Sequence, residues 1–511
     1  MGNAVENSAV KDKKILIIGG GLGGLFTGAL LAKNGAIVRV LEKNVIIGGG
    51  LQCFSRNGKS FETGMHIVGG FRPGGTLSKL SSYLGILDRL QLEHLDGEYA
   101  DTIYFADNNL SFRLPSGREN FTKALISYFP DEEEGIKGYI DAIFRLSDLL
   151  PLYNLRERCD YLINPPEEFV MPADMLIAKY VSDPTLRALL AYHNSLYDGV
   201  KEETPAFIHA VINTLYITGQ SRFVGGSQQL ASTLADVIIN NGGEVLSPKE
   251  VISLEMLDNR VISATTGDGE VYTADYFISA IHPATLSSMM PPHAFKKSYF
   301  RRLNDIPNSC SAFSLYIDLK PGAFPYLPHT NYYIENENLV WQQEKYNRGG
   351  EIKAFMYMTP PDPHQGEYAS RLLVYSLMSF DEVREWENSS LGNRGEGYEV
   401  WKKGYKDYLL DKLEYLYPGF RNMILHTYSA SPLTIRDYYN TKEGAIFGYR
   451  KVSGNLAFSH IPAATKIPNL LLTGQNIGLH GICGVPINAI ITAEELLGKN
   501  FLVREINRCV R

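Results

Sequence analysis

The hydrophobic pattern of the chain changes character at Lys14. Before it, the tail MGNAVENSAVKDKK is polar and has no apolar stretch of the kind a secretory leader needs. From Ile15 to Ala32 no residue is charged. That run has the length of a membrane span, but its cluster of glycines is poor material for a helix centre, and it divides instead into shorter elements. Ile15-Leu16-Ile17-Ile18 is the apolar, β-branched run of a buried parallel strand, and it stops at Gly19-Gly20-Gly21-Leu22-Gly23-Gly24. Apolar residues on most faces predict a helix from Leu22 to Asn34, closed by Gly35 as a left-handed cap. Ala36 to Leu41 then reads as a second strand ending on Glu42.

The same alternation places the later elements. After Gly225-Gly226-Ser227-Gln228-Gln229-Leu230 a helical pattern runs to Asn241 and stops at Gly242-Gly243. Glu250 to Leu254 and Arg260 to Ile262 alternate like strands of a β-meander, with turns at Leu257-Asp258-Asn259 and Gly267-Asp268-Gly269. Ala274 to Ala280 reads as a strand returning to the first sheet, and Asn469 to Leu472 as a buried strand ending at Gly474 and Gln475. His480 to Ala489 opens a last helix, with Pro486 suited to its first turn. Phe105 to Leu114 is strand-like, and the acids of Asp131-Glu132-Glu133-Glu134 precede a helix, as its N-terminus prefers. Phe169 to Ile177 and Phe324 to Pro328 are apolar stretches between polar flanks, and they are the candidates for peripheral contact with a membrane.

Strand, glycines, helix, cap, strand and acid in this order form a dinucleotide-binding unit with GxGxxG at Gly19, Gly21 and Gly24. Gly19 allows the tight turn, Gly21 lets the backbone approach a pyrophosphate, and Gly24 lets the helix lie close on the strand. The helix N-terminus turns unpaired N–H groups and a positive dipole end toward the phosphates. Glu42 stands where a ribose needs a hydrogen-bond acceptor and would repel a ribose phosphate, which leaves FAD or NAD as the ligand.

At 511 residues the chain exceeds what one hydrophobic core holds, so two domains are expected. Hydrophobic residues at 44% and charged residues at 21% supply ample core material. A net charge of -7 with scattered Lys and Arg offers no basic stripe and excludes nucleic acid as a partner. Cys53, Cys159, Cys310, Cys483 and Cys509 form no CxxC pair, so a reducing, cytoplasmic setting is expected. The histidines show no metal spacing such as HExxH, and no metal is expected.

These segments resemble the FAD-dependent phytoene desaturase, carotenoid isomerase and retinol saturase family. The likeness starts at Ile17-Ile18-Gly19-Gly20-Gly21-Leu22-Gly23-Gly24-Leu25 and passes through Leu41-Glu42-Lys43 to a second glycine pair, Gly48-Gly49. It continues in Gly58-Lys59-Ser60-Phe61-Glu62-Thr63-Gly64-Met65-His66, whose Gly-x-His ending is nearer to retinol saturases and carotenoid isomerases than to phytoene desaturases. Two departures alter charge near the cofactor. Gly50 stands where many relatives carry Arg, and Gln475 where they carry an acid.

The resemblance implies an α/β fold: a Rossmann-type, glutathione reductase-like FAD domain from 1–75, 220–290 and 455–511, with a discontinuous α+β substrate domain from 76–219 and 291–454. It implies that Val251 meets the adenine through its backbone, and that Val485, Pro486 and Ile487 bring a helix N-terminus to the flavin, where its dipole stabilises charge on reduction. Gly50, Met65, His66, Gly474 and Gln475 complete the implied cofactor contacts. The implied activity is oxidoreduction of C=C or C–C bonds of a hydrophobic polyene or prenyl lipid, by saturation, desaturation or isomerisation, with NAD(P)H as a possible electron donor. His66, then His480 and Cys483, are the candidates for proton transfer. The alternatives are an amine oxidase acting on a smaller soluble substrate and a flavoprotein that carries lipid without turnover.

Overall fold

The computed structural model describes residues 9–158, 165–364 and 366–509, so Cys159 lies outside the described residues. A five-stranded parallel sheet organises the nucleotide-binding half. Its elements are β1 (Lys14–Ile18), α1 (Leu22–Lys33), β2 (Ile37–Leu41), α2 (Gln228–Asn240), β3 (Glu244–Leu246), β4 (Tyr276–Ser279), β5 (Leu470–Leu472) and α3 (Gly481–Leu497). The strand order is β3-β2-β1-β4-β5, with Ile15 opposite Val38 on one side and Tyr276 on the other. All four residues from Ile15 to Ile18 are buried, because both faces of the sheet are covered. Alternation then sorts them. Ile15 and Ile17 join the cluster of Leu25, Phe26 and Leu30 from α1, while Leu16 and Ile18 join Val251, Val261 and Ala264.

Those last residues belong to an antiparallel meander of Val251–Leu257, Arg260–Thr266 and Val271–Tyr272. Its first turn has positive φ at Asp258 (46°) and Asn259 (59°), the geometry that suits the twist of a two-residue hairpin. The mixed α/β architecture expected from the sequence is the observed one.

A seven-stranded sheet organises the other half, in the order Ile424–Ala430, Ser311–Leu319, Arg371–Met378, Ala354–Met358, Thr330–Ile334, Asp101–Phe105 and Leu110–Leu114. All its pairings are antiparallel except that of Thr330–Ile334 with Asp101–Phe105. Alternation works here too. Tyr332 and Ile334 face the helices that carry Ile140 and Val211, whereas Tyr333 faces Tyr405, Leu409 and Leu413 of the helix Glu396–Leu416. The strand read from Phe105 to Leu114 is a hairpin, turned at Ala106 to Asn109, where Asn109 adopts φ 51°. Cations tie the smaller sheets to this half of the molecule. Arg222, 1% exposed, donates to the carbonyls of Leu327 and Thr359, and Lys59 pairs with Asp318.

One expectation requires correction. Pro486 is not in the first turn of α3, which begins at Gly481 and carries the proline inside it. The helix is already under way at Ile482 to Val485, and the proline withholds the N–H that the carbonyl of Ile482 would receive. In the two apolar stretches considered for membrane contact, Leu176, Ile177, Phe324 and Leu327 are buried and Phe169 stacks on Phe207, while Met175 is exposed. Among the described residues no single helix is long and apolar enough to cross a membrane.

Candidate active site

The C-terminal ends of β1, β2, β4 and β5 open on a long cleft, the place where parallel α/β sheets bind ligands. Its floor is the glycine turn. Gly19, at φ 103°, donates to the carbonyl of Leu41 and reverses the chain from β1 toward α1. A Cβ on Gly24 would stand 2.0 Å from the oxygen of Gly19, so only hydrogen permits this approach of helix to strand. On Gly21 a Cβ would come no nearer than 3.9 Å to any protein atom and would project into the cleft. α1 has no side-chain cap, so its first N–H groups face the cleft beside Gly21, Leu22 and Gly23.

Glu42 marks one end. It is 6% exposed; Oε2 accepts from the N–H of Gly20 and Oε1 from that of Asn44, each at 2.8 Å. Burial raises its pKa, an effect the two N–H donors oppose. Lys43, Lys249 and Val251 line the cleft beside it. At the far end stand Gly49, Gly50, Met65, Gly474, Gln475 and Val485. In the orientation that satisfies both its ends, the Gln475 amide donates to Ile446 O and accepts from Gly448 N, each at 3.2 Å. The residue that replaces an acid therefore ties down the neighbouring strand segment.

Gly20, Gly24, Gly48, His66, His480, Pro486 and Ile487 do not line this cleft and stand behind its wall. His66 packs its ring at 5.9 Å from Tyr375, a cleft residue, and its Nδ1 lies 3.8 Å from Glu62 Oε2 without a hydrogen bond. His480, the residue before α3, packs at 5.0 Å from Phe447, and burial lowers its pKa to about 4. Cys483 lines a separate small cavity with Tyr153 and Tyr216, and burial pushes its thiol up to about 12. Cys53 lies in the next cavity, with its thiol also raised by burial. Neither cysteine is a thiolate facing the cleft.

Several cleft residues were invisible in the sequence. Tyr375, Tyr439, Asn440 and Phe447 come from the second excursion out of the nucleotide half, and no local motif marks them. Tyr439 borders both Gly50 and Gly64. Its hydroxyl lies 3.5 Å from where a Cβ of residue 50 would be, an ordinary contact, and 2.4 Å from that of residue 64, which only glycine allows.

Away from the cleft, Asp198, Cys310 and Glu344 bring buried ligand atoms within 4.8 Å of one another. Arg450 sits among them, 2.8 Å from Asp198 and 3.9 Å from Glu344, and supplies the positive charge a metal would bring.

The cleft fits FAD. An acceptor carboxylate stands at one end, a phosphate-sized gap without side chains lies over Gly21 between uncapped N–H groups, and an aromatic chamber of Tyr375, Tyr439 and Phe447 forms the other end. Comparisons with known proteins agree. The chain is 26% identical to the all-trans-retinol 13,14-reductase of Macaca fascicularis over 97% of its own length and 88% of that protein. It is 25% identical to prolycopene isomerase 2 of an Oncidium hybrid cultivar over 84% of its length and 74% of that protein. In fold it is similar to an oxidoreductase from Methanosarcina mazei, with a TM-score of 0.61 at 18% identity, covering 93% of this chain and 99% of that one. The family model for flavin containing amine oxidoreductases matches residues 22–486. The chain belongs to that family and is an FAD-dependent oxidoreductase.

Proposed function

We propose that this oxidoreductase acts on carbon–carbon bonds of a hydrophobic polyene or prenyl lipid, of the retinoid or carotenoid kind. The observation that carries this reading is a second cavity of about 770 Å³ that adjoins the cleft, within the roughly 300–1,000 Å³ typical of small-molecule sites. Phe54, Tyr316 and Tyr428 wall it, with rings 4.9 Å and 6.3 Å from Phe54. Thr63, Ile435, Tyr438 and Tyr439 line both spaces, so a chain lying among the aromatics would end against the flavin. The names of the retinol reductase and prolycopene isomerase relatives support the same substrate class.

FAD would be held by Gly19, Gly21, Leu22, Gly23, Glu42, Val251, Met65, Gly474 and Val485 and would supply the hydride chemistry. The protein supplies position, dryness and a proton. Tyr439, wedged over Gly50 and Gly64, fixes the passage between the two spaces. The dipole of α3 points its positive end at the cleft through Gly481. His66 is the residue we assign to proton transfer. Its buried Nδ1 has no hydrogen-bond partner among the described residues, and Met65 beside it lines the cleft. His480 stands behind the wall, and burial holds it neutral near pH 7 and makes it a weak base. In the saturating direction electrons come from outside, and NAD(P)H is the donor to test.

The experiment is to reduce the FAD-loaded protein without oxygen and add retinoids and carotenes, following flavin and polyene absorbance together. Flavin reoxidation with loss of conjugation identifies a saturase, and a polyene change with the flavin left reduced identifies an isomerase. Peroxide formed from soluble amines, with no response to any lipid, would overturn the reading.

A further inference from the structure

The second cavity has a charged end that a neutral hydrocarbon does not explain. Arg56, Lys402, Lys403 and Lys406 line it, against one lining carboxylate, Glu399. On a chain whose net charge is -7, this is a local inversion of sign. Lys402 and Lys406 lie one turn apart on the helix Glu396–Leu416 and so share a face. Arg56 closes the strand Cys53–Arg56. Lys403 is paired with Asp407 at 2.8 Å. Among the described residues, no carboxylate lies within ion-pairing distance of Arg56, Lys402 or Lys406. Lys402 is partly buried, with its ammonium 5.8 Å from the centre of the Tyr398 ring, and burial without a bound anion lowers its pKa.

Exposure orients the cavity. Arg56, Lys403 and Glu399 are exposed and mark its outer end, whereas Tyr316 and Ile435 are buried and Ile435 also lines the flavin cleft. Charge is therefore outside, aromatic wall in the middle and cofactor within. We propose that the substrate is an amphiphile: a polyene or prenyl chain that carries an oxyanion, carboxylate or phosphate, held at Arg56, Lys402 and Lys406 while its chain reaches inward. A partly desolvated ammonium gains more from an oxyanion than a fully hydrated one does, and Arg56 adds a planar fork of donors suited to carboxylate or phosphate. This deepens the substrate class proposed above and rests on it.

The test uses the FAD-loaded full chain and one C20 polyene in four forms: retinoic acid, its methyl ester, retinol and retinyl phosphate. Binding is read from perturbation of the flavin spectrum. We expect the acid or the phosphate to bind at least about tenfold more tightly than ester and alcohol, and that advantage to shrink as salt rises. Which anion leads separates carboxylate from phosphate. In Lys402→Ala/Lys406→Ala, and separately in Arg56→Glu, the affinity for the anionic forms should fall toward that of the ester. The flavin spectrum reports whether each variant is folded, and the salt titration needs no variant. Equal binding of all four forms would overturn the anionic head and leave the polyene reading standing. Failure of every form to bind would overturn both. Association with phosphatidylserine vesicles that depends on the same residues, without preference for the free anions, would assign the cations to a membrane surface and overturn the proposal.

Discussion

Gly21 and Gly24 are both glycine for reasons that a substitution separates. At Gly24 an added methyl meets the backbone oxygen of Gly19 at 2.0 Å, and backbone cannot step aside. At Gly21 it meets no protein atom within 3.9 Å, and φ is an ordinary -77°. We therefore expect Gly24→Ala to lower unfolding free energy by about 3 kcal/mol through overpacking. Gly21→Ala should stay within roughly 0.5 kcal/mol of the parent in its apo form and yet lose most bound FAD. Thermal unfolding of apo protein and flavin absorbance per chain read the two effects; a destabilised apo Gly21→Ala would refute the assignment of that space to cofactor. The packing role of Gly24 was legible, because GxGxxG fixes backbone geometry over a few neighbouring residues. Tyr375, Tyr439 and Phe447 were not. An aromatic on a buried strand has the same local pattern whether it faces core or ligand, and the distinction arises only when distant segments meet.

The elements of the nucleotide half could be read because each carries its own start and stop: Gly35 after α1, Gly242-Gly243 after α2, and Asp258-Asn259 between strands. The hairpin over Phe105 to Leu114 was read as a single strand although Asp107-Asn108-Asn109 carries a turn signal of the same kind. The helix Phe501–Cys509 follows α3 at 116°. The corner is made by Glu494, 3% exposed, whose oxygens receive the N–H groups of Asn500, Leu502 and Val503 and the guanidinium of Arg158. One carboxylate thereby caps the next helix and turns the chain. We expect Glu494→Ala to cost about 3 kcal/mol, since it strands a cation and several buried donors together. A denaturant midpoint unchanged from the parent would show that the turn forms without it.

Across the whole molecule the buried histidines set the response to acid. His193, His209, His282 and His480 are buried, and desolvation holds their pKa values down to about 4, 3, 4 and 4. The unfolded chain binds these protons first, so their stabilisation is full above about pH 6.5 and is lost as pH falls toward 4. Asp101 and Glu344, raised to about 7 by burial, act with the opposite sign over the same range, but they are two against four. We expect the unfolding temperature to drop between about pH 6.5 and 4.5. A rise over that interval would mean that the carboxyls dominate. The interleaved plan of the chain, with one sheet built from residues 14–41, 244–279 and 470–472, followed from recognising separate segments in order; the contacts of Arg222 and Lys59 had no sequence signature. That plan also sets a schedule for biogenesis. The glycine turn from Gly19 to Gly24 is synthesised hundreds of residues before Gly474, Gln475, Gly481 and Val485, which wall the far end of the cleft. Until those residues emerge the nascent protein holds only part of the cleft, so enclosure of a cofactor there waits on the last strand of the sheet.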